Sequence, residues 1–370
     1  MFLTHRSHSR GYNPRVAHPT SRWIAVLLSG ALLVAALAGS LGRGSADAGR
    51  TFSRSAVVDA QSGTLREARL ARVTATWRGG PITTSTGETV DVRVSDALPP
   101  ESTPEGWAEF LTGLTHGSEI STLTAYVGTF TEIQDLCGRQ ALGCYTRNEM
   151  VAIGEPALGD ATPEEIVRHE YGHHVAFHRL NSPWVAVERG PKRWASAANV
   201  CARVARDEAF PGDEGTNYAR NPGEAWAEVY RLMDERKAGI TTASWQIVDR
   251  SFFPNEAALQ AAEQDVTQPW TKQRTIRFTH VFGKRTSKVW WISLQTPLDG
   301  DLRVTATMPP GGTADVALVA GNRRTVVRRG QWVGQRIRRL EGAVCGQRSL
   351  FVRVSQAGSL GRVRVAVVAP

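Results

Sequence analysis

The chain has 370 residues, of which 41% are hydrophobic and 21% are charged, and its formal net charge is +9. These are ordinary globular values, so they exclude a chain that is disordered throughout, and the length allows about two domains with cores of their own. The charge is uneven: residues 271–370 carry 18 Lys and Arg against 4 Asp and Glu, whereas residues 51–270 are net acidic. A basic tail therefore follows an acidic body.

The first fifty residues have the order of a secretory signal. Four arginines precede the apolar run Trp23–Gly39, and small residues follow it, among them Ala46 and Ala48. The run has 17 residues, fewer than the roughly 20 that usually span a bilayer. We predict that residues 1–48 are a cleaved signal peptide, with an uncleaved signal anchor as the alternative. The protein is then secreted or extracytoplasmic, with no stable membrane span after cleavage.

The body of the chain combines strand and helix patterns. Alternating residues in 71–99 predict a strand pair, and a helix capped by Thr103 is expected over 103–117. Strands are then expected at 121–130 and 143–155. The second of these is either a sheet edge that pairs with an extended substrate or an ordinary interior strand. Helices are expected from Thr162, over 192–208 and over 223–239. An irregular loop is expected at 210–223.

The stretch TPEEIVRHEYGHHVAFHR contains four histidines on one expected helix, which begins at Thr162 with a T-x-x-E capping box. His169 and His173 are one turn apart with Glu170 beside the first, which is the H-E-x-x-H pattern. Two neutral imidazoles at this spacing bind Zn²⁺, and the glutamate can take a proton from water and later return it to a leaving amine. His174 and His178 lack a carboxylate at the matching place, so we expect them to be surface or packing residues.

A third ligand must come from elsewhere in the chain. The metzincin pattern is excluded because Ala176 and Arg179 stand where it requires Gly and His. The stretch NPGEAWAEVYRLM provides Glu224 and Glu228 one turn apart, although Glu224 can also be explained as part of a helix cap with Asn221. The other possible ligands are Asp213 and Glu214, in the preceding loop.

With these motifs the sequence resembles the gluzincin group of zinc metallopeptidases over about residues 115–235. The resemblance rests on His169, Glu170, His173, Glu224 and Glu228. It implies one Zn²⁺ per chain with Glu224 as its third ligand, and Glu228 as the acceptor of a ligand histidine N–H.

The resemblance also bears on one tyrosine. In some branches of the group, a tyrosine seven residues before the ligand glutamate stabilises an oxyanion. Tyr218 lies six residues before Glu224, so this role carries over to it only with a departure from the pattern.

The last hundred residues change in character. Short alternating segments separated by Gly, Pro and Asp predict a β-sandwich over 271–370, and they resemble the pre-peptidase C-terminal domains of secreted peptidases. Its arginines are expected to hold anionic cell-envelope polymers, or alternatively to solvate the surface or dock on the acidic body. No nucleic acid partner is expected for an exported chain without a binding motif. Six strands are expected: 288–296, 301–308, 314–320, 324–330, 349–355 and 362–368.

The four cysteines fit an exported protein. Cys137 and Cys144 bracket a short loop, and we expect them to form one disulfide, which leaves Cys201 and Cys345 for the other. Sequence alone permits three pairings of four cysteines. A zinc ribbon is excluded because the chain has no C-x₂-C pair.

Together these features predict an α+β zincin-like metallopeptidase domain at 49–270 followed by an all-β sandwich domain at 271–370. The expected activity is that of an exported zinc-dependent endopeptidase, acting on a peptide or protein substrate with Glu170 as general base. The alternatives are a cell-wall peptide amidase and a non-catalytic cell-surface adhesin or binding protein on a zincin scaffold. Glu170 favours an enzyme, because a metal kept for structure needs ligands but no general base.

Overall fold

The computed structural model describes residues 55–57, 76–139, 141–156, 161–242, 244–245, 247–358 and 361–370. These residues belong to one compact unit, Gly49–Pro370. The predicted signal segment lies outside the described residues. Within them, no helix has both the length and the apolar character needed to cross a membrane.

The body of the chain is built on a six-stranded mixed sheet with the order β1-β5-β6-β4-β3-β2. Strands β3, β4 and β6 are parallel to one another. Strand β2 is antiparallel to β3, β5 is antiparallel to β6, and β1 is parallel to β5. The strands are β1 (Ser55–Val57), β2 (Trp77–Thr83), β3 (Thr89–Ser95), β4 (Thr124–Gly128), β5 (Gly143–Thr146) and β6 (Glu149–Ile153).

Helices pack against this sheet around a large apolar core. In chain order they are α1 (Pro104–Thr112), α2 (Phe130–Cys137), α3 (Pro163–Phe177), α4 (Ala186–Arg189), α5 (Lys192–Ala197), α6 (Val200–Val204), α7 (Pro222–Lys237) and α8 (Glu256–Thr267). Short 3₁₀ turns lie at Ser118–Thr122, Tyr218–Arg220 and Arg250–Phe252.

Two of the expected elements are divided in the structure. Residues 143–155 form the hairpin β5–β6, because Arg147 adopts a left-handed backbone with φ 51° and reverses the chain. The single helix expected over 192–208 is two short helices, α5 and α6, separated where Asn199 has φ 54°. Helices α2, α4 and α8 were not expected.

Helix α3 carries the H-E-x-x-H pattern and is fixed by local and tertiary contacts. The Thr162 side chain accepts a hydrogen bond from the Glu165 backbone, and the Glu165 side chain accepts one from the Thr162 backbone, so the expected capping box is present. Helix α7 begins with Asn221 accepting from the Gly223 backbone. The two helices pack closely against each other at Gly172, where an added Cβ would lie only 2.8 Å from the Ala227 Cα.

The described residues between 274 and 369 form two antiparallel sheets around a second apolar core, consistent with a β-sandwich. One sheet has the order β11-β10-β14-β8, and the other has the order β12-β13-β9-β15-β7. Beyond the six expected strands, the described part of this region contains β7, β12 and β13. The strands are β7 (Arg274–Phe282), β8 (Val289–Gln295), β9 (Gly300–Thr307), β10 (Ala314–Ala320), β11 (Val326–Arg329), β12 (Gln331–Trp332), β13 (Ile337–Val344), β14 (Ser349–Gln356) and β15 (Gly361–Ala369).

The helical body and the sandwich are joined by polar and covalent contacts. Buried Lys192, at the start of α5, donates from Nζ to the backbone carbonyls of Ser182 at 2.5 Å and Asp299 at 2.9 Å. Arg348 donates to the Asp299 carboxylate and to the Ser196 carbonyl. A disulfide between Cys201 and Cys345 completes the junction.

Candidate metal centre

Helices α3 and α7 bring two histidines and one glutamate together. One ligand atom each from His169, His173 and Glu224 lies within 4.8 Å of the other two. His169 Nε2 is 3.3 Å from Glu224 Oε2, and His173 Nε2 is 3.5 Å from Glu224 Oε1. All three side chains are buried. The structure thus groups the three residues expected to be metal ligands.

The spacing of this donor group is suited to a metal ion. Each histidine nitrogen faces a different oxygen of the Glu224 carboxylate, at 3.3 Å and 3.5 Å. Two imidazoles with one carboxylate are a ligand set found in catalytic zinc sites. A buried group of His169, His173 and Glu224 can therefore bind a metal ion.

The second nitrogen of His169 faces Glu228. The distance from His169 Nδ1 to Glu228 Oε2 is 3.2 Å, and both side chains are buried. A carboxylate in this place fixes the ring orientation and leaves Nε2 to face Glu224. Burial alone would lower the pKa of His169, but its hydrogen bonds to Glu224 and Glu228 raise it to about 10.

Glu170 lies beside the donor group and against strand β5. Its carboxyl group packs so closely on Gly143 that an added Cβ there would lie 2.6 Å from Glu170 Oε1. Glu170 Oε2 is buried and has no hydrogen-bond partner among the described residues. Burial raises the pKa of this carboxyl well above its ordinary value.

Tyr218 reaches the same group from the turn before α7. Its hydroxyl donates to Glu224 Oε2 at 2.7 Å, and the side chain is buried. The tyrosine therefore contacts a donor carboxylate directly. Its expected role at an oxyanion stays a prediction.

The other possible ligands lie outside the donor group. Asp213 accepts hydrogen bonds from the Gly215 backbone at 2.8 Å and from the Asn217 side chain at 2.9 Å, within its own loop. Glu214 accepts from the Asn221 side chain at 2.8 Å. Both carboxylates thus support the loop that leads into α7.

The second histidine pair tethers α3 to its surroundings. His174 is buried, with Nδ1 3.0 Å from the Tyr145 hydroxyl and Nε2 2.9 Å from the Glu119 carbonyl. His178 Nε2 is 2.8 Å from the Asn148 side-chain oxygen. Burial lowers the pKa of His174 to about 4, so this ring is neutral at ordinary pH. These contacts are those of packing residues.

The strand beside the centre is not a free edge among the described residues. Strand β5 pairs with β6 on one side and with β1 on the other, in the register Ser55 to Gly143 and Val57 to Tyr145. An extended substrate can pair with β5 on that side only after β1 has moved away.

Two features of the centre were not recognised in the sequence. Gly172, inside the H-E-x-x-H pattern, permits the close contact of α3 with α7. Arg231, one turn beyond Glu228, donates to both oxygens of that carboxylate. The spacing E-x-x-R-x-x-x-E from Glu228 to Glu235 is the only local signal of this ion pair, since residues three and four apart on a helix are neighbours.

Both expected disulfides occur in the structure, as Cys137–Cys144 and Cys201–Cys345, and no described cysteine is free. Disulfides form and persist mainly outside the cytoplasm. The covalent structure therefore indicates an extracellular or periplasmic location.

No protein-family model matches the chain, and no curated protein matches it. Among the solved structures that do match is the pre-peptidase C-terminal domain of a collagenase from Bacillus anthracis, at 12% identity, with 26% of this chain and 89% of that chain covered and a TM-score of 0.21. Another is PliG from Aeromonas hydrophila, a periplasmic inhibitor of g-type lysozyme, at 12% identity, with 27% and 87% covered and a TM-score of 0.20. Scores this low carry no argument about function.

Proposed function

We propose that the protein is an exported zinc-dependent endopeptidase. The observation that carries the proposal is the buried group of His169, His173 and Glu224, with the carboxyl group of Glu170 beside it. Zincin-type hydrolysis needs this combination, because three protein ligands leave one position for water or substrate and the fourth residue handles the proton.

Each residue has one task in the proposed reaction. His169, His173 and Glu224 hold the metal, and Glu228 holds the His169 ring. A bound Zn²⁺ would supply a Lewis acid for the scissile carbonyl and would acidify water. Glu170 accepts a proton from the attacking water and delivers it to the leaving amine. Tyr218 is proposed to stabilise the oxyanion, which requires its hydroxyl to exchange the hydrogen bond to Glu224 for one to the substrate oxygen.

The metal content of the purified protein tests this proposal. We expect about one zinc per chain in the wild type and loss of that zinc in Glu224→Ala, because the variant lacks one of three ligands. Asp213→Ala is the matched control, since it removes a carboxylate that lies nearby in the chain but outside the donor group, and it should retain zinc. A folded wild type without zinc contradicts the proposal, and zinc retained in Glu224→Ala assigns the third ligand elsewhere.

Hydrolysis is then tested directly with a mixture of unstructured peptides, analysed for new termini by mass spectrometry. We expect cleavage that stops with a chelator and returns with added zinc. Cleavage of amide bonds only in cell-wall peptides would assign the activity to an amidase.

A second candidate function is a non-catalytic binding protein with a structural metal. It is favoured by the burial of the donor group, since His173 and Glu224 are each 0% exposed. Zinc binding without hydrolysis of any peptide or cell-wall fragment would support this function over the first.

For the sandwich we propose anionic envelope polymers as the partner. Five exposed arginines share the outer face of its five-stranded sheet, where they alternate with the buried residues of the core. Such a face attracts polyanions in a salt-dependent way. Retention of the full chain on envelope preparations at low salt, with release at high salt, checks this. The arginines are Arg277, Arg303, Arg339, Arg362 and Arg364.

A further inference from the structure

Arg231 forms two hydrogen bonds with the Glu228 carboxylate, which faces His169. Its side chain is buried in α7, where Nε donates to Glu228 Oε2 at 3.0 Å and Nη2 donates to Glu228 Oε1 at 2.6 Å. Glu228 Oε2 is also the atom that faces His169 Nδ1 at 3.2 Å. A two-pronged contact of this kind fixes the plane of a carboxylate as well as its position.

The guanidinium is itself held by other groups. Its Nη1 donates to both oxygens of Glu235 at 2.8 Å, and its Nη2 also donates to the Ser244 carbonyl. Glu165, which closes the capping box of α3, lies 3.6 Å from Nη1. Arg231 thus connects α7 to the first turn of the helix that carries His169. Since these contacts surround it, the guanidinium has little freedom to follow Glu228 if that side chain moves.

We propose that Arg231 is a positioning residue of the metal centre. By holding Glu228 in one place and orientation, it gives the Nδ1–H of His169 a fixed acceptor and so keeps Nε2 directed at the metal position. Without Arg231, a buried carboxylate loses its charged partner, and the His169 ring loses the support that orients it. The inference rests on the proposed metal centre but not on the reaction catalysed there.

The alternative is that the ion pair of Arg231 and Glu228 only stabilises the fold. The structure offers a matched comparison, because Arg168 of α3 donates from Nε to Asp234 of α7 at 2.9 Å and is also buried. This pair links the same two helices, and its hydrogen bond joins neither a candidate metal ligand nor Glu228. Comparing variants of the two arginines therefore distinguishes an effect on helix packing from an effect on the orientation of His169.

The test is the zinc affinity of the full chain, measured by competition with a chromophoric chelator. In Arg231→Met we expect zinc to bind about tenfold more weakly or worse, the range found when partners of metal ligands are removed. Arg231→Lys keeps the charge but cannot contact both oxygens of Glu228, so it should restore part of the affinity. Arg168→Met should bind zinc like the wild type, even if its unfolding midpoint falls.

A double variant tests whether Arg231 acts through Glu228. In Glu228→Ala the carboxylate is absent, and adding Arg231→Met should then weaken zinc binding no further. The d–d spectrum of the Co²⁺-substituted protein gives a second readout, because altered orientation of a ligand ring changes it. We expect the spectrum to change in both Arg231 variants and to stay as in the wild type in Arg168→Met.

Three outcomes overturn the inference. The first is wild-type zinc affinity in a folded Arg231 variant, and the second is an equal loss in the Arg168→Met control. The third is an additive loss in the double variant. If Arg231→Met does not fold, the lysine variant carries the same test, and wild-type affinity there counts against the inference. A wild type that binds no zinc removes the metal proposal as well, so failure of the proposed function is distinguished from failure of this inference alone.

Discussion

Among the buried glutamates of the centre, Glu170 and Glu224 lie in contrasting environments. Burial opposes ionisation of both carboxyl groups, and at Glu170 it raises the pKa well above the ordinary value. At Glu224 the charges and hydrogen bonds of His173 and His169 outweigh burial, and the pKa is lowered. Two carboxyl groups whose pKa values are pushed apart in one site are suited to different tasks. Glu224 is suited to be a permanent anion, and Glu170 is suited to exchange a proton.

This contrast makes Glu170→Gln a decisive variant. We expect kcat to fall by about 10²- to 10⁴-fold, the usual contribution of a general base, because the amide cannot accept the proton. Zinc content should stay at the wild-type level, since Glu170 is not among the grouped ligands. Rates on a cleaved peptide and metal analysis of the same samples provide the check.

Glu164→Gln is the control for this variant, because that glutamate is exposed in the first turn of the same helix. Unchanged turnover in Glu170→Gln would contradict the assignment of Glu170 as the general base.

At the scale of helices and strands, the centre depends on how closely α3 approaches α7. Trp226 of α7 donates from its indole nitrogen to the Gly172 carbonyl at 2.7 Å, and a Cβ on Gly172 would meet the Ala227 Cα and carbonyl oxygen. Because both obstacles are backbone atoms, a side chain here must push the helices apart.

Gly172→Ala should therefore lower the stability by about 1–3 kcal/mol, the usual cost of overpacking, and should weaken zinc binding. Gly106→Ala in α1 is the matched control, since that glycine is exposed and its Cβ would meet only the Thr103 side chain. Urea unfolding and zinc competition on both variants provide the measurements. Wild-type behaviour in Gly172→Ala would mean that the helices can separate without affecting the donor group.

The elements with strong local signals were predictable from the sequence. The start of α3 follows from Thr162 and Glu165, which make their contacts within one turn. The hairpin β5–β6 and the break between α5 and α6 were not predictable, because each depends on a left-handed residue, Arg147 or Asn199, that is neither glycine nor set by hydrophobic periodicity. Strong hydrophobic periodicity determines whether a segment is a helix or a strand. The surrounding fold determines which residues, such as Arg147 and Asn199, adopt a left-handed backbone.

The centre itself was predictable in part for the same reason. The spacing of His169, Glu170 and His173 is local, so a helix is sufficient to place them. The approach of Glu224 depends on how α7 packs, and it was indicated by the one-turn spacing of Glu224 and Glu228 together with the resemblance to gluzincins. The Arg231 side chain that binds Glu228 also contacts Glu165 and Ser244 from other parts of the fold. A sequence does not show that these residues lie close to Arg231.

At the scale of the whole molecule, the junction between the helical body and the sandwich contains a buried amine. Lys192 Nζ lies over the Trp270 ring at 4.8 Å, in addition to its two carbonyl partners. Burial lowers its pKa from 10.5 to about 8. The unfolded chain therefore binds this proton more tightly than the folded chain does.

The stability contributed by Lys192 should rise between pH 8 and 10.5 and be level outside that window. The difference between a pKa of 10.5 and one of about 8 corresponds to at most about 3 kcal/mol of unfolding free energy. Solvent that reaches the amine reduces this value. The measurement is the free energy of unfolding of the wild type minus that of Lys192→Met, determined across the window. A difference that stays constant, or that falls as the pH rises, would contradict the shift.

The Cys201–Cys345 disulfide closes a loop with a sequence separation of 144 residues. It therefore encloses the whole connection between the helical body and the sandwich, including residues 268–273, which follow α8. If a protease cut this connection, the two fragments would stay covalently joined until the disulfide was reduced. If the sandwich binds the protein to an envelope, two covalent links hold the helical body to it: the backbone and the disulfide. Release of the helical body into the medium then requires both cleavage of the backbone and reduction of the disulfide.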